Sequence, residues 1–326
     1  MSLSRRDFLK ITALAGAAVG VGAPLLRYLL ATGALSKVAE THYLMGTIVN
    51  IVLVAEREEQ AREAIQKTVG KMRDLILIYD HRRLDGPLGQ LNANGVTHHP
   101  PRELVAVMRQ ALHFGQLSNG AFDITVKPLL DALQKQQPVT QTIRDLIDYR
   151  QVVVTEESIS FSIPNMAVTL DGIAKGCVVD GGVEALRQLG FENVLVEAGG
   201  DMMLQGVQDG DGWRVGIAHP RSPGNIIAEF FAQNQAVATS GDYMNSFSTD
   251  HSSHHIIDPR TGHSPSHLAS VTVLAPSVLE ADALSTTLMV LGIRDALSLL
   301  EALPAASALL ITKDLELIRS SRFPSI

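Results

Sequence analysis

From Thr41 onward, strand-like and helix-like segments interleave without a strict strand–helix–strand rhythm, and hairpin-like pairs recur. This pattern constrains the fold most. Regular βαβ alternation would demand a parallel sheet with crossover helices, whereas strands joined by short turns pair antiparallel. Strand patterns cover His42–Leu53 and residues 151–154, 159–163, 167–170, 193–198, 201–205, 213–218, 236–239, 254–257 and 269–275. A closing hairpin is expected over 308–312 and 315–319. Helical spacing marks Glu56–Tyr79, Arg102–Leu117, Cys177–Leu189, Ser277–Leu291 and 294–303, while 80–101 reads as a Gly/Pro/Asn-rich loop. Residues 41–326 therefore read as a single compact α+β unit, a mostly antiparallel sheet with packed helices.

The chain opens Ser4-Arg5-Arg6-Asp7-Phe8-Leu9-Lys10, and an Ala/Gly-rich apolar run follows from Ile11 to Leu26. A charged segment ahead of a moderately apolar one is an export leader rather than the start of a fold. The order S-R-R-x-F-L-K resembles the twin-arginine signal, whose pathway carries folded proteins. Residues 1–40 are assigned to this signal. The expected location is the periplasm, with membrane attachment only through an uncleaved signal. Residues 1–34 carry Arg5, Arg6, Lys10 and Arg27 against Asp7, so without them the formal charge is −10 instead of −7. A surface this acidic excludes nucleic acid as a partner. Cys177 is the single cysteine, which excludes a disulfide framework and a thiolate zinc site within one chain.

Seven clusters mix Gly, Asp and Ser/Thr where a core would prefer aliphatics. They are Met45-Gly46-Thr47, Ser118–Leu129 (SNGAFDITVKPL), Leu170–Gly176 (LDGIAKG), Glu197–Asp201 (EAGGD), Ala238–Tyr243 (ATSGDY), His254–Gly262 (HHIIDPRTG) and Ala281–Thr287 (ADALSTT). Singly, such sequences are ordinary turns. In this order they resemble the ApbE family of flavin transferases, over about Met45 to Ile293.

The resemblance implies a Mg²⁺-dependent enzyme that cleaves the pyrophosphate of FAD and attaches FMN to a Thr or Ser of a target flavoprotein, releasing AMP. It implies Asp282, Thr286 and the backbone carbonyl of Gly172 as metal ligands. Met45, Ala121, Phe122, Asp123, Thr169, Asp171, Lys175 and His255 are implied at FAD. The residue chemistry agrees: Asp282 and Thr286 are four apart on a predicted helix, so a carboxylate and a hydroxyl share one face and offer hard oxygen donors. A capping Asp and an ordinary helical Thr would give the same spacing. Lys175, in a Gly-flanked loop, is suited to phosphate. Asp242 is the expected base for the incoming hydroxyl, with His255 the alternative. His251, His254 and His255 also form an H-x-x-H-H pattern, for which a solvated turn with one buried histidine is the preferred reading over zinc.

Two departures stand out. Thr169 occupies the position of the Asp in the family's DLxxIAKG pattern, and Asp171, on the same face if 167–170 is a strand, is expected to take part of that role. The 80–95 loop lacks the usual serine-rich form. The twin-arginine leader resembles that of NosX-type members found beside nitrous-oxide respiration, which makes a flavoprotein of such a system the expected target. Two other readings are FAD hydrolysis to FMN and AMP at the same site, and non-catalytic flavin carriage.

Overall fold

The computed structural model describes residues 36–206 and 212–326. Residues 1–35 of the expected leader lie outside them, and residues 36–40 belong to the first strand. The chain runs β1 (Ser36–Leu44), β2 (Thr47–Ala55), α1 (Glu58–Tyr79), α2 (Pro87–Asn94), β3 (Val96–His98), α3 (Arg102–Leu117), α4 (Lys127–Gln134), α5 (Gln141–Arg144), β4 (Val152–Val154), β5 (Ser158–Phe161) and α6 (Ala174–Gln188). Then follow β6 (Val194–Ala198), β7 (Asp201–Gln205), β8 (Trp213–Ala218), β9 (Ile226–Ala232), β10 (Gln235–Gly241), β11 (Leu268–Ala275), α7 (Val278–Glu301), β12 (Ser307–Thr312) and β13 (Leu317–Arg319).

The main sheet has the order β1-β2-β6-β7-β10-β11-β12-β13, and every neighbouring pair is antiparallel. The α+β expectation holds. Helices α1, α6 and α7 cover one face. The β8–β9 hairpin covers part of the other through Trp213, Val215, Ile217 and Phe230, which meet Leu204, Val237, Leu274, Leu309 and Ile311. Covering on both sides explains why β11 (LASVTVLA) and β12 (SALLIT) are buried at every position. In β2 and most of β1, more buried residues alternate with more accessible ones, because among the described residues nothing covers the second face there.

The structure differs from the sequence reading in several places, each with a local cause. The strand pattern at His42–Leu53 is a hairpin of two strands; Leu44 pairs with Thr47, which leaves Met45 and Gly46 as a two-residue turn. Segment 167–170 is not a strand. Its backbone groups are satisfied by the Asn92 side chain, which donates to Val168 O and accepts from Val168 N–H, each at 2.8 Å, and by Ile124 O, which accepts from Thr169 N–H. Residues 254–257 form no strand, only a single bridge between His254 and Ser246. Strand β9 has no counterpart in the sequence reading, and the 80–101 loop holds α2 and β3. The two helical patterns over 277–303 are one element broken at Gly292, whose φ of 74° and ψ of 178° are non-helical. Helix α7 contains an 18-residue stretch with a mean hydropathy of 1.4, enough by length and composition to match a membrane span, yet it packs across β10 and β11 as a core helix.

Candidate active site

The site forms where the first turns of α6 and α7 meet. A Cβ on Gly176 would lie 2.4 Å from the Val278 carbonyl oxygen, so only glycine permits this crossing. Asp180 of α6 accepts the N–H groups of Val278 and Leu279 at 2.9 Å each, and Ser277 accepts that of Glu280, which caps the start of α7 from two directions. With the helices fixed, Gly176 N–H donates to Asp282 Oδ2 at 2.9 Å. Lys175 forms an ion pair with the buried Asp201 at the start of β7.

Acid outweighs base here. Asp282, Asp201 and Glu197 surround the single ammonium of Lys175. Burial, then the charge of Asp201, raises the Asp282 carboxyl to about 7, against the opposing pull of Lys175 and Gly176 N–H. Burial likewise pushes Asp201 and Glu197 up. Burial alone would lower the Lys175 ammonium, but Asp201 and Asp282 hold it above its ordinary value. Glu197 is fixed by Asn50 Nδ2 and Gly200 N–H, both at 2.7 Å.

Thr286 lies one turn beyond Asp282. Ser240 Oγ, from β10, is 2.7 Å from Ser285 Oγ and 3.2 Å from Thr286 Oγ1. A Cβ on Gly172 would sit 3.2 Å from the Phe122 ring and 3.5 Å from Thr286 Oγ1, so the 170–173 loop passes directly over both. Gly172, Phe122 and Thr286 are thus brought together, with Asp282 and Lys175 beside them. Phe122 is itself braced edge-on by Phe114, and both Phe122 and Ala121 are buried. Met45 occupies the β1–β2 turn with φ of 53°, a left-handed conformation uncommon for a side-chain-bearing residue. The next residue but one, Thr47, packs against the GGD turn: a Cβ on Gly199 would be 2.6 Å from Thr47 Oγ1.

His255 Nδ1 is buried with no hydrogen-bond partner. Burial lowers its pKa, with Asn245 and Asp171 opposing and Lys175 assisting, so the imidazole is neutral near pH 7. The neighbouring His254 is fully buried, with Nε2 3.2 Å from Pro265 O, and serves the loop's architecture. Among the described residues, no three His, Cys, Asp or Glu side chains are grouped as metal ligands.

Three expectations need correction. Asp242 is not a free base. Its fully buried carboxylate accepts from both Arg221 guanidinium nitrogens at 2.7 Å and pairs with Lys313. Burial alone would raise its pKa, but these two cations hold it below the ordinary range. Asp123 offers no free carboxylate either: it accepts from Thr125 N–H, Thr125 Oγ1 and Tyr149 N–H, shaping the 121–126 turn from beneath. Thr169 and Asp171 do not share a face, because 167–170 is not a strand. Thr169 is buried and caps the following turn by accepting Asp171 N–H at 3.1 Å, while Asp171 is exposed. Asp171 instead meets the 80–84 segment, with Arg82 Nη2 at 3.1 Å and His81 Nε2 at 3.4 Å. Partial desolvation would raise its carboxyl, but these partners bring it down to about 2.

Asp201 and Ser240 lie within the GGD and ATSGD motifs, yet nothing in those motifs assigns either a role. Lys313 and Arg221 carry no sequence signal; their partner Asp242 is 71 and 21 residues away.

Comparison with known proteins agrees with this geometry. Residues 45–310 match the model of the ApbE family, and residues 2–22 match the twin-arginine translocation pathway signal sequence. The FAD:protein FMN transferase of Haemophilus influenzae is 31% identical over 287 residues, 81% of each chain. That of Vibrio cholerae is 32% identical over 280 residues, 79% of this chain and 82% of the relative. Among solved structures, the flavin transferase ApbE from Vibrio cholerae superposes with a TM-score of 0.76 at 27% identity, covering 89% of this chain and 98% of that one. The ApbE protein from Thermotoga maritima gives 0.79 at 26% identity, covering 88% and 97%. The chain belongs to the ApbE family of flavin transferases.

Proposed function

We propose that the protein is a periplasmic, Mg²⁺-dependent FAD:protein FMN transferase. The observation that carries this reading is the acid-rich cluster of Asp282, Asp201 and Glu197 around Lys175, beside Thr286 and the Gly172 loop. Lys175 is already neutralised by Asp201, so the cluster by itself repels a pyrophosphate. A divalent cation reverses that balance. The donors at hand are a carboxylate, a hydroxyl and a loop carbonyl, all hard oxygens and few enough to leave positions for water and phosphate, which suits Mg²⁺. Asp282, Thr286 and the Gly172 carbonyl would hold it. Bound there, it supplies charge neutralisation at the pyrophosphate and its leaving group.

The chain's own residues do the rest. Met45 and Phe122 offer apolar surface to the flavin end, and Lys175, held by Asp201, lies toward the phosphates. With Nδ1 of His255 enclosed, Nε2 is the ring nitrogen open to take the proton of the acceptor's Thr or Ser hydroxyl. That oxygen then attacks the FMN-side phosphorus, the pyrophosphate P–O bond breaks, and AMP departs. The neutral state of His255 near pH 7 suits this role. The acceptor is proposed to be an exported flavoprotein of a nitrous-oxide respiration system, on the strength of the leader's resemblance alone.

The test is to incubate the protein with FAD, Mg²⁺ and a candidate acceptor domain while following AMP release and covalent flavin. Both should appear, and His255→Asn should reduce transfer at least about 100-fold, within the range expected for general-base catalysis. AMP without covalent flavin makes the enzyme a hydrolase. FAD binding with neither product makes it a carrier.

A further inference from the structure

His255 sits on the loop between β10 and β11, which leaves the sheet at Asp242 and returns at His267. Residues 245–255 of this loop fold into a finger. Phe247 N–H donates to Ser253 O at 2.7 Å, Ser246 bridges His254, and His255 N–H donates to Asn245 O at 3.0 Å. His255 therefore stands at the finger's base and His251 near its tip, where φ of 58° reverses the chain. The finger's core is small: Phe247 is 50% exposed, and His254 at its base is the fully buried side chain.

Ser264 and Pro265 hold His254 within the loop, and a polar cluster at the finger's root ties it to the rest of the fold. Asp242 N–H donates to Ala269 O at 3.0 Å, anchoring the carboxylate to the edge of β11. Arg221, from the loop after β8, grips both carboxylate oxygens. Lys313, from the turn after β12, pairs with the same carboxylate and also donates from Nζ to His251 O at 3.0 Å. Its backbone N–H donates to His267 O at 3.4 Å. One residue thus ties together the start of the loop, the tip of the finger and the loop's return to the sheet. Of these contacts, the one at His251 O lies near the finger's tip, where pivoting would displace it most, while those at Asp242 and His267 lie where the loop joins the sheet.

We propose that Lys313, with Asp242 and Arg221, is a positioning clamp that sets where His255 stands in the active site. The proposal rests on the role of His255 given above. A loop that loses one of its ties samples more conformations, and displacement of a reacting group by about 1 Å can cost about 100-fold in rate. The clamp removes that freedom without touching the substrate.

The experiment compares the full chain with Lys313→Met, Lys313→Arg, His255→Asn and the Lys313→Met/His255→Asn double variant. Lys313→Met should lower kcat for FMN transfer at least tenfold, yet by less than twofold in the His255→Asn background, because the clamp acts through that histidine. Its Kd for FAD should stay within twofold. Amide hydrogen exchange across 245–255 should quicken at least tenfold, and Lys313→Arg, long enough to reach both acceptors, should restore most of kcat and protection. Equal losses in both backgrounds, or unchanged exchange in the finger, would overturn the clamp. If His255→Asn leaves transfer intact, the role of His255 fails, while the exchange data still decide whether Lys313 holds the finger. Should Lys313→Met lack a cooperative melt, Lys313→Gln carries the same measurements, since its amide keeps one of the two bonds.

Discussion

Replacing Asp282 by asparagine should make the metal-free protein more stable while removing its chemistry. Asp282 is buried, and its carboxyl is raised from 3.8 to about 7, first by burial and then by Asp201, with Lys175 and Gly176 N–H offsetting part of this. The change corresponds to about 4 kcal/mol disfavouring the ionised form in the folded state. For an acid whose folded pKa lies above the unfolded one, the related stability is complete below the unfolded value. It is lost as pH rises through the folded value. The window here is about pH 4 to 7. Above it, wild-type protein without metal carries the whole deficit, and the Asp282→Asn variant carries none. The asparagine oxygen can still accept from Gly176 N–H.

Relaxation around the coupled Asp201 should reduce the measurable gain to about 2–4 kcal/mol at pH 8, or at least about 3 °C in Tm for a chain of this size. Near pH 5 the gain should fall by at least half. Urea and thermal melts in EDTA at both pH values measure it. Adding Mg²⁺ with FAD should then stabilise the wild type alone, and D282N should release no AMP. An asparagine variant that is less stable than wild type at pH 8, or a gain that does not vary with pH, would refute the electrostatic reading of the cluster.

Two further outcomes follow from the same geometry. Lys175→Met strips the partner from the buried Asp201 and should destabilise the fold by about 3–5 kcal/mol in urea melts at pH 8, with the loss shrinking in acid as Asp201 protonates. Met45→Gly relieves a left-handed residue in the β1–β2 turn. It should stabilise the protein by up to about 1 kcal/mol while weakening FAD binding measured by flavin fluorescence.

How much of this was legible in the sequence depended on the range of the interaction. Periodicity found α7 as two segments, because Gly292 interrupts the pattern where the backbone breaks. It found β11 and β12 because burial on both faces writes largely apolar runs, broken inside β11 only by the small buried Ser270 and Thr272. It failed at 167–170, where the segment is satisfied by the side chain of Asn92, 76 residues before Val168 in the chain. Helical spacing put Asp282 and Thr286 on one face, but their reading as a ligand pair came from the family resemblance. The roles of Asp242 and Asp171 were not, since each is set by cations from other parts of the chain: Arg221 and Lys313 for one, Arg82 and His81 for the other. A carboxylate's neighbours decide whether it is a base, a ligand or a clasp, and composition does not name those neighbours. His254 and His255 make the same point, as adjacent residues of one type, the first fully buried and bonded to Pro265 O, the second only partly buried.

Helix α7 has a consequence for how the protein reaches its compartment. Its 24 residues include a stretch apolar enough to lodge in a bilayer. A chain threaded across a membrane unfolded would present that stretch to lipid, where it could halt as an unintended span with Asp282 trapped at its head. In the folded protein the same stretch lies under β10 and β11. A leader for the twin-arginine route, which transports proteins already folded, therefore protects the element that carries the proposed metal ligands from being mistaken for an anchor.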